Sequence, residues 1–432
     1  MSGSAEDTRQ DRQDTSDGDS SDKHRSLSWP ERRLILLLGV PSLGLAFTVS
    51  VTSTYVPVLL QQISGPLMVG LLVGGEGFFG IFVPTVVGSL ADRHRRLRGR
   101  LVWMAVSGVL LCVAAAAIGT LGIVKAGLWG FGIALVLLYV GYYAFLAPYW
   151  ALYSDLVPSE ASGRSRSVES SFRVAGVGLA LIGGGLLLSV SPGLPFFTAA
   201  LLVVLVTGTL VFGLRRRRNE EVDPEESEHG RAISAIRDLL QDRSIVTLMI
   251  ANSLWNFALA ALRAFVVLFF TVGMGKPSSF VATVIFPLVA VGIAVAAPTS
   301  GWLADRFGHI RLLTGALVVY GGCMAIPGFL QATWVAGLIP VVAAGAATVM
   351  TLPLSMLMRL LPEDRHGAAS GLFGLSRGVG GTLGPLVAGA AILLMKPVLS
   401  STHGYAAMWY VCSAALLASI FFLRRLAGDD RL

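Results

Sequence analysis

The sequence predicts an all-α membrane protein with twelve spanning helices in two similar halves. Three observations lead there. Of 432 residues, 54% are hydrophobic and 14% charged, where a soluble chain carries about a quarter charged residues. The apolar residues gather in runs of 20 or more, each long enough to cross ~30 Å of hydrocarbon. Arginines cluster at every second gap between the runs, the pattern of positive loops on one side of a membrane.

The elements are taken in chain order. Residues 1–28, rich in Ser, Asp, Arg and Gln, read as a disordered cytoplasmic tail. They lack the short apolar core of a cleaved signal, so the first apolar run is expected to serve as insertion signal. Residues 29–214 form the first bundle, with apolar segments at 34–60, 67–91, 101–122, 128–154, 168–190 and 194–214. Residues 215–243 form a cytoplasmic linker, opening with four arginines and ending in the amphipathic stretch AISAIRDLLQ, read as a helix on the membrane surface or a solvated connector. Residues 244–425 form the second bundle, with segments at 244–272, 278–304, 311–330, 334–360, 367–394 and 404–424, and 426–432 close the chain.

The alternate gaps hold Arg93, Arg95, Arg96, Arg98, Arg100, Arg164, Arg166, Arg215–Arg218, Arg306, Arg311 and Arg365, against Lys125, Lys276 and Lys396 in the others. Both termini are therefore expected in the cytoplasm of a plasma-membrane protein. The formal net charge of +7 is explained by that bias, and no nucleic-acid partner is expected.

The halves repeat. Gly88-Ser-Leu-Ala-Asp92-Arg93 recurs as Gly301-Trp-Leu-Ala-Asp305-Arg306. Pro158, Gly163, Arg173, Gly176 and Gly185 recur at one constant offset as Pro362, Gly367, Arg377, Gly380 and Gly389. Two independent matches in one order indicate a duplicated six-helix unit. Transporters built this way hold their solute near the bilayer midplane between rocking halves.

The Gly-x-Leu-Ala-Asp-Arg signature resembles the inter-helix loop motif of the major facilitator superfamily. The second copy, with Gly308 and Arg311, matches the usual spacing. The first has Gly99-Arg100 further on, which looks like the glycoside–cation symporter and sucrose-transporter branch, as does the segment Ala151 to Pro158. The resemblance implies the major facilitator fold, with helices one, four, seven and ten lining the path. In the loop motif, Gly88 and Gly301 are expected to allow close helix contact. Asp92, Arg93, Gly99, Arg100, Asp155, Asp305, Arg306 and Gly308 are expected to form a charged latch at the cytoplasmic gate, with topology anchoring as the simpler alternative.

Ionisable residues at membrane depth are costly and so mark sites. Glu76 is read as the only acid well inside a span, ~24 Å from the inner end, and Arg263 comes out at ~28 Å. Asn252, Asn256 and Arg263 share one helical face, at roughly 0, 40 and 20 degrees for ~100 degrees per residue, and that face is expected to line the cavity. A Glu76–Arg263 charge pair is expected, with Glu76 as a proton site; a static ion pair is the alternative. Arg173 and Arg377, each ~15 Å from the inner end of its helix, could recognise an anion or bind helix carbonyls. Tyr139, Tyr142, Tyr143, Tyr149 and Trp150 form an aromatic stripe on the fourth helix. Of these, Tyr142 and Tyr143 lie near mid-span, where they could face a solute.

The function expected is secondary active transport of a small solute, proton-coupled, by a monomer in the lipid bilayer. A sugar-type symporter is favoured, because the fourth helix lacks arginine and the fifth lacks the Gly-Pro pair usual in drug antiporters. An efflux antiporter for drugs or metabolites is the alternative, and a non-transporting receptor or scaffold is the rival from another class. No enzyme is expected, since all six histidines fall in loops or the tail. No metal site or cofactor is expected either, with three cysteines far apart.

Overall fold

The computed structural model describes residues 29–91, 97–157, 161–215, 238–361 and 366–426. Twelve helices in it are long and apolar enough to cross a membrane. In the first half these are α1 (Trp29–Leu60), α2 (Pro66–Ala91), α3 (Leu97–Val124), α4 (Leu128–Leu156), α5 (Ser162–Val190) and α6 (Leu194–Gly213). In the second half, α7 (Arg243–Leu268) runs on as a π-helix, Phe269–Gly273. A short turn, Ser278–Phe280, and a second π-helix, Val281–Ile285, lead into α8 (Phe286–Phe307). Then come α9 (His309–Phe329), α10 (Ile339–Arg359) after a 3-10 turn at Thr333–Leu338, α11 (His366–Met395) and α12 (Ala407–Leu426). The tail 1–28 and most of the linker with its amphipathic stretch lie outside the described residues.

An even number of spans puts Trp29 and Leu426 at one end of the bundle, here the termini face. The duplicated glycines explain how each half is assembled. A Cβ on Gly176 of α5 would overlap the Leu43 carbonyl of α1, and one on Gly380 of α11 would overlap the Ser253 carbonyl of α7. The same repeat position thus makes the same seam in each half. Small residues are what allow backbones this close where lipid supplies no hydrophobic drive.

The second glycine pair joins the halves. Gly185 of α5 would place a Cβ 2.6 Å from Cβ of Ala282, at the entry to α8, and Gly389 of α11 would place one 2.5 Å from the Pro66 carbonyl of α2. Gly74 and Gly77 continue the α2–α11 seam at Thr382, and Tyr55 of α1 meets Phe286 edge-on at 6.5 Å. The Gly185 and Gly389 contacts lie toward the face opposite the termini, whereas the α2–α11 seam runs on past mid-helix, where Gly77 and Ile81 close on Gly378. Toward the termini face, Arg173 and Val174 on α5 and Leu375, Arg377 and Val379 on α11 stand exposed.

Gly301 departs from expectation. Its Cβ position meets nothing within 4 Å, so close helix contact is not its role. Gly308 does need to be glycine, with φ of +85° in the single residue between α8 and α9.

Candidate functional site

Opposed helix directions bring Glu76 and Arg263 together. Side chains on a helix lean toward its N-terminus. Arg263 on α7, which rises from the termini face, therefore leans back down. Glu76 on α2, which descends, leans up. They meet at 3.8 Å between Nη1 and Oε1, with 35% and 21% of their side chains exposed. The pair spans the two halves.

Around it lie the other charged residues the sequence singled out. Arg377 acts electrostatically on Glu76 alongside Arg263. Tyr142 is within electrostatic reach of Glu76, Arg377, Arg173 and Arg263 together. The Tyr142 and Tyr143 rings meet edge-on at 4.9 Å, and the Tyr143 hydroxyl rests against Gly80, one turn from Glu76. The cluster draws on α2, α4 and α5 from one half and α7 and α11 from the other.

Glu169 corrects the reading of Glu76 as the sole acid within a span. α5 starts at Ser162, six residues earlier than its hydropathy suggests, which carries Glu169 two turns into the helix. It is 3% exposed. Ser42 of α1 donates to its Oε1 at 2.7 Å, and Arg173, one turn on, approaches at 3.5 Å. The Ser42 hydroxyl also lies 2.9 Å from that of Tyr149, while Tyr149 and Tyr153 both donate to the Leu38 carbonyl, at 2.6 and 2.8 Å. Tyr149 is thus a post between α4 and α1. Trp150 lies under the Arg166 guanidinium at 4.7 Å.

Asn252 and Asn256 also need correcting. Both are buried, 1% and 8% exposed. Asn252 donates to Ser376 Oγ at 2.7 Å and Asn256 to the Asn252 carbonyl at 2.9 Å. Their amides are too short to leave the seam that Gly380 and Gly384 draw tight against α7. Arg263 is long enough to reach past it.

At the termini face Asp305 pairs with Arg359, the last residue of α10, at 3.8 Å, and Arg359 Nη1 lies 3.5 Å from His309 Nδ1. Arg306 instead stacks over Trp302 at 5.5 Å, so in this half the aspartate makes the inter-helix bond. In the first half, Arg100 is buried within α3. Asp92, Arg93 and the side chain of Asp155 lie outside the described residues, and Gly88 falls in the last turn of α2.

A separate small apolar pocket lies in the second half, lined by Phe269, Phe270, Lys276, Phe280 and Trp409 among others. These residues sit at the face opposite the termini, away from the charge cluster. No group of three or more metal-ligating side chains occurs among the described residues.

Two six-helix bundles joined by a repeated seam, with charged residues of both enclosed between them, define a polytopic membrane transporter. The Major Facilitator Superfamily model matches residues 42–385 and 275–431. The chain belongs to that superfamily. It is similar to the protein named multidrug resistance protein MdtG of Citrobacter koseri, 24% identical over 408 residues, covering 92% of this chain and 95% of that one. The protein of the same name from Escherichia fergusonii is 24% identical over 417 residues, covering 93% and 96%. Among solved structures, a bacterial homologue of the human lysosomal transporter Spinster, inward-facing and unoccupied, superposes with a TM-score of 0.71 at 17% identity, covering 93% of this chain and 96% of that one. The nucleoside transporter NupG gives 0.71 at 13% identity, covering 91% and 99%. At these identities the structures share the fold alone.

Proposed function

We propose that this chain exports amphipathic, drug-like solutes across the plasma membrane by alternating access, as a monomer whose path runs between its own halves. The observation that carries the direction is similarity over more than nine-tenths of the chain to proteins named for multidrug resistance. That likeness displaces the preference for a sugar-type symporter, which rested on one loop and on the absence of two motifs. The termini face is taken as cytoplasmic from its arginines, which puts the Gly185 and Gly389 contacts on the outer side.

The Glu76–Arg263 pair is the element that must be broken and remade, because it joins two bodies that move against each other. A proton on Glu76 removes one of its charges, which makes Glu76 the coupling position. Tyr142 and Tyr143 supply the aromatic surface for the solute.

The test is accumulation of a fluorescent amphipathic dye by everted and by right-side-out vesicles containing the protein. Export is expected as energised uptake into everted vesicles. Uptake confined to right-side-out vesicles would reverse the direction, and no energised uptake in either would remove the transport reading.

A further inference from the structure

Two of the three arginines in the site have carboxylates and one does not. Arg263 is met by Glu76 and Arg173 by Glu169. Arg377, eleven residues into α11, makes no hydrogen bond or ion pair among the described residues and stands exposed. A guanidinium at membrane depth is costly without a partner. Arg173 occupies the equivalent position, eleven residues into α5, and is 54% exposed despite its long contact to Glu169. These repeat-related arginines come from opposite halves, and both act on Tyr142.

We propose that Arg377, seconded by Arg173, binds an acidic group on the transported solute, so that this carrier takes amphipathic aromatic anions. A carboxylate accepts two parallel N–H bonds from one guanidinium fork. The ring attached to it would then lie on the Tyr142–Tyr143 pair, whose edge-on packing presents an aromatic face. The arginine excess excludes the amphipathic cations that the same aromatic surface would otherwise hold. Because the two arginines belong to different halves, an anion between them favours one spacing of the bundles over another. An anion leaving an inside-negative cell also moves down the electrical gradient, which suits export.

This inference rests on the cluster being the solute site, and its test does not depend on direction. Purified full-length protein is titrated with 1-naphthoate, its uncharged carboxamide, and a naphthylmethyl trimethylammonium salt, reading dissociation constants and thermal stabilisation. In the wild type, naphthoate is expected to bind at least ten times more tightly than either analogue. Arg377→Gln is expected to raise its dissociation constant about tenfold or more. Arg377→Lys, which keeps the charge but loses the fork, should fall between them, and it supplies the comparison if Arg377→Gln folds poorly. Arg425→Gln, on a guanidinium stacked over Phe421 in the last turn of α12, should bind as wild type does. Equal or tighter binding of the amide or the ammonium salt overturns the proposal, as does unchanged naphthoate binding in Arg377→Gln, or no binding by any probe. Naphthoate binding without energised transport into everted vesicles leaves the anion site standing and removes the export reading instead.

Discussion

Replacing Glu76 by glutamine keeps the side chain's shape and removes its charge, leaving the Arg263 guanidinium without a carboxylate inside the bundle. At 3.8 Å, the gross attraction lost is about 4 kcal/mol at an effective dielectric of ~20, and about 1 kcal/mol in bulk water. The side chains are 21% and 35% exposed, so solvent screening pulls the value down from the first figure, and the desolvation cost shared by both ions reduces it further. The net coupling expected from a double-mutant cycle with Glu76→Gln and Arg263→Gln is therefore about 1–2 kcal/mol, with the double variant less destabilised than the two single changes sum to. Thermal and denaturant unfolding of the four proteins in one detergent measures it.

The same variant tests coupling. If protonation of Glu76 is what breaks the inter-half bond, Glu76→Gln is fixed in the neutral form. Dye transport by this variant should not respond to an imposed pH gradient, whichever sign that response has in the wild type. A cycle energy within ~0.3 kcal/mol of zero would mean that the two groups are neighbours without being partners. An intact gradient response in Glu76→Gln would move the proton site elsewhere, with Glu169 the next carboxylate to examine.

The packing sets further expectations. Gly176→Ala and Gly380→Ala push a methyl into a neighbouring helix's carbonyl and should each cost about 1–3 kcal/mol in unfolding assays, whereas Gly178→Ala, with open space around it, should be neutral or stabilising by up to ~1 kcal/mol. Gly389→Val wedges the seam against Pro66 and should shift spin-label distances across the opposite face toward the open state; an unchanged distribution would show that this contact does not hold the seal. Tyr149→Phe deletes the bond to the Leu38 carbonyl and should cost about 1 kcal/mol in the same unfolding assays. Asp305→Asn breaks a pair that is 72% exposed on its side, so its effect on stability should stay under ~1 kcal/mol and fade with added salt.

The legible part of this molecule was whatever leaves a periodic or costly mark. Twelve apolar runs, the arginine asymmetry and the repeated glycines each have one physical cause, and the helices fall within a few residues of where the runs lie. Glu76 and Arg263 were readable because a charge in an apolar run needs a partner, and their depths agreed. Glu169 was not, because it stands second in the apolar segment read at 168–190, at its edge, and only the polar stretch from Ser162, drawn into the helix, carries it two turns in to meet Ser42. Asn252 and Asn256 show the limit of a helical wheel. It gives the face but not the neighbour, and here the neighbour is α11 packed too closely to leave a cavity. Gly301 matched a motif whose usual reason, close contact, is absent at that position.

The proposed mechanism turns on where the seams sit relative to the charges. The seams within each half, Gly176 on α1 and Gly380 on α7, lock α5 and α11 to their own bundles. Between halves, Gly185 at Ala282 and Gly389 at Pro66 lie near the far ends of those same two helices, and α11 also packs on α2 further down, at Gly77 and Gly378 beside Arg377. Each of α5 and α11 therefore carries a contact to its own half, an arginine, and contacts to the other half, along one helix. On the proposed function, a change in the spacing of Arg173 and Arg377 is transmitted to Gly185 and Gly389 along these helices. On that reading, a solute held between the two arginines and closure of the opposite face are coupled through these two helices.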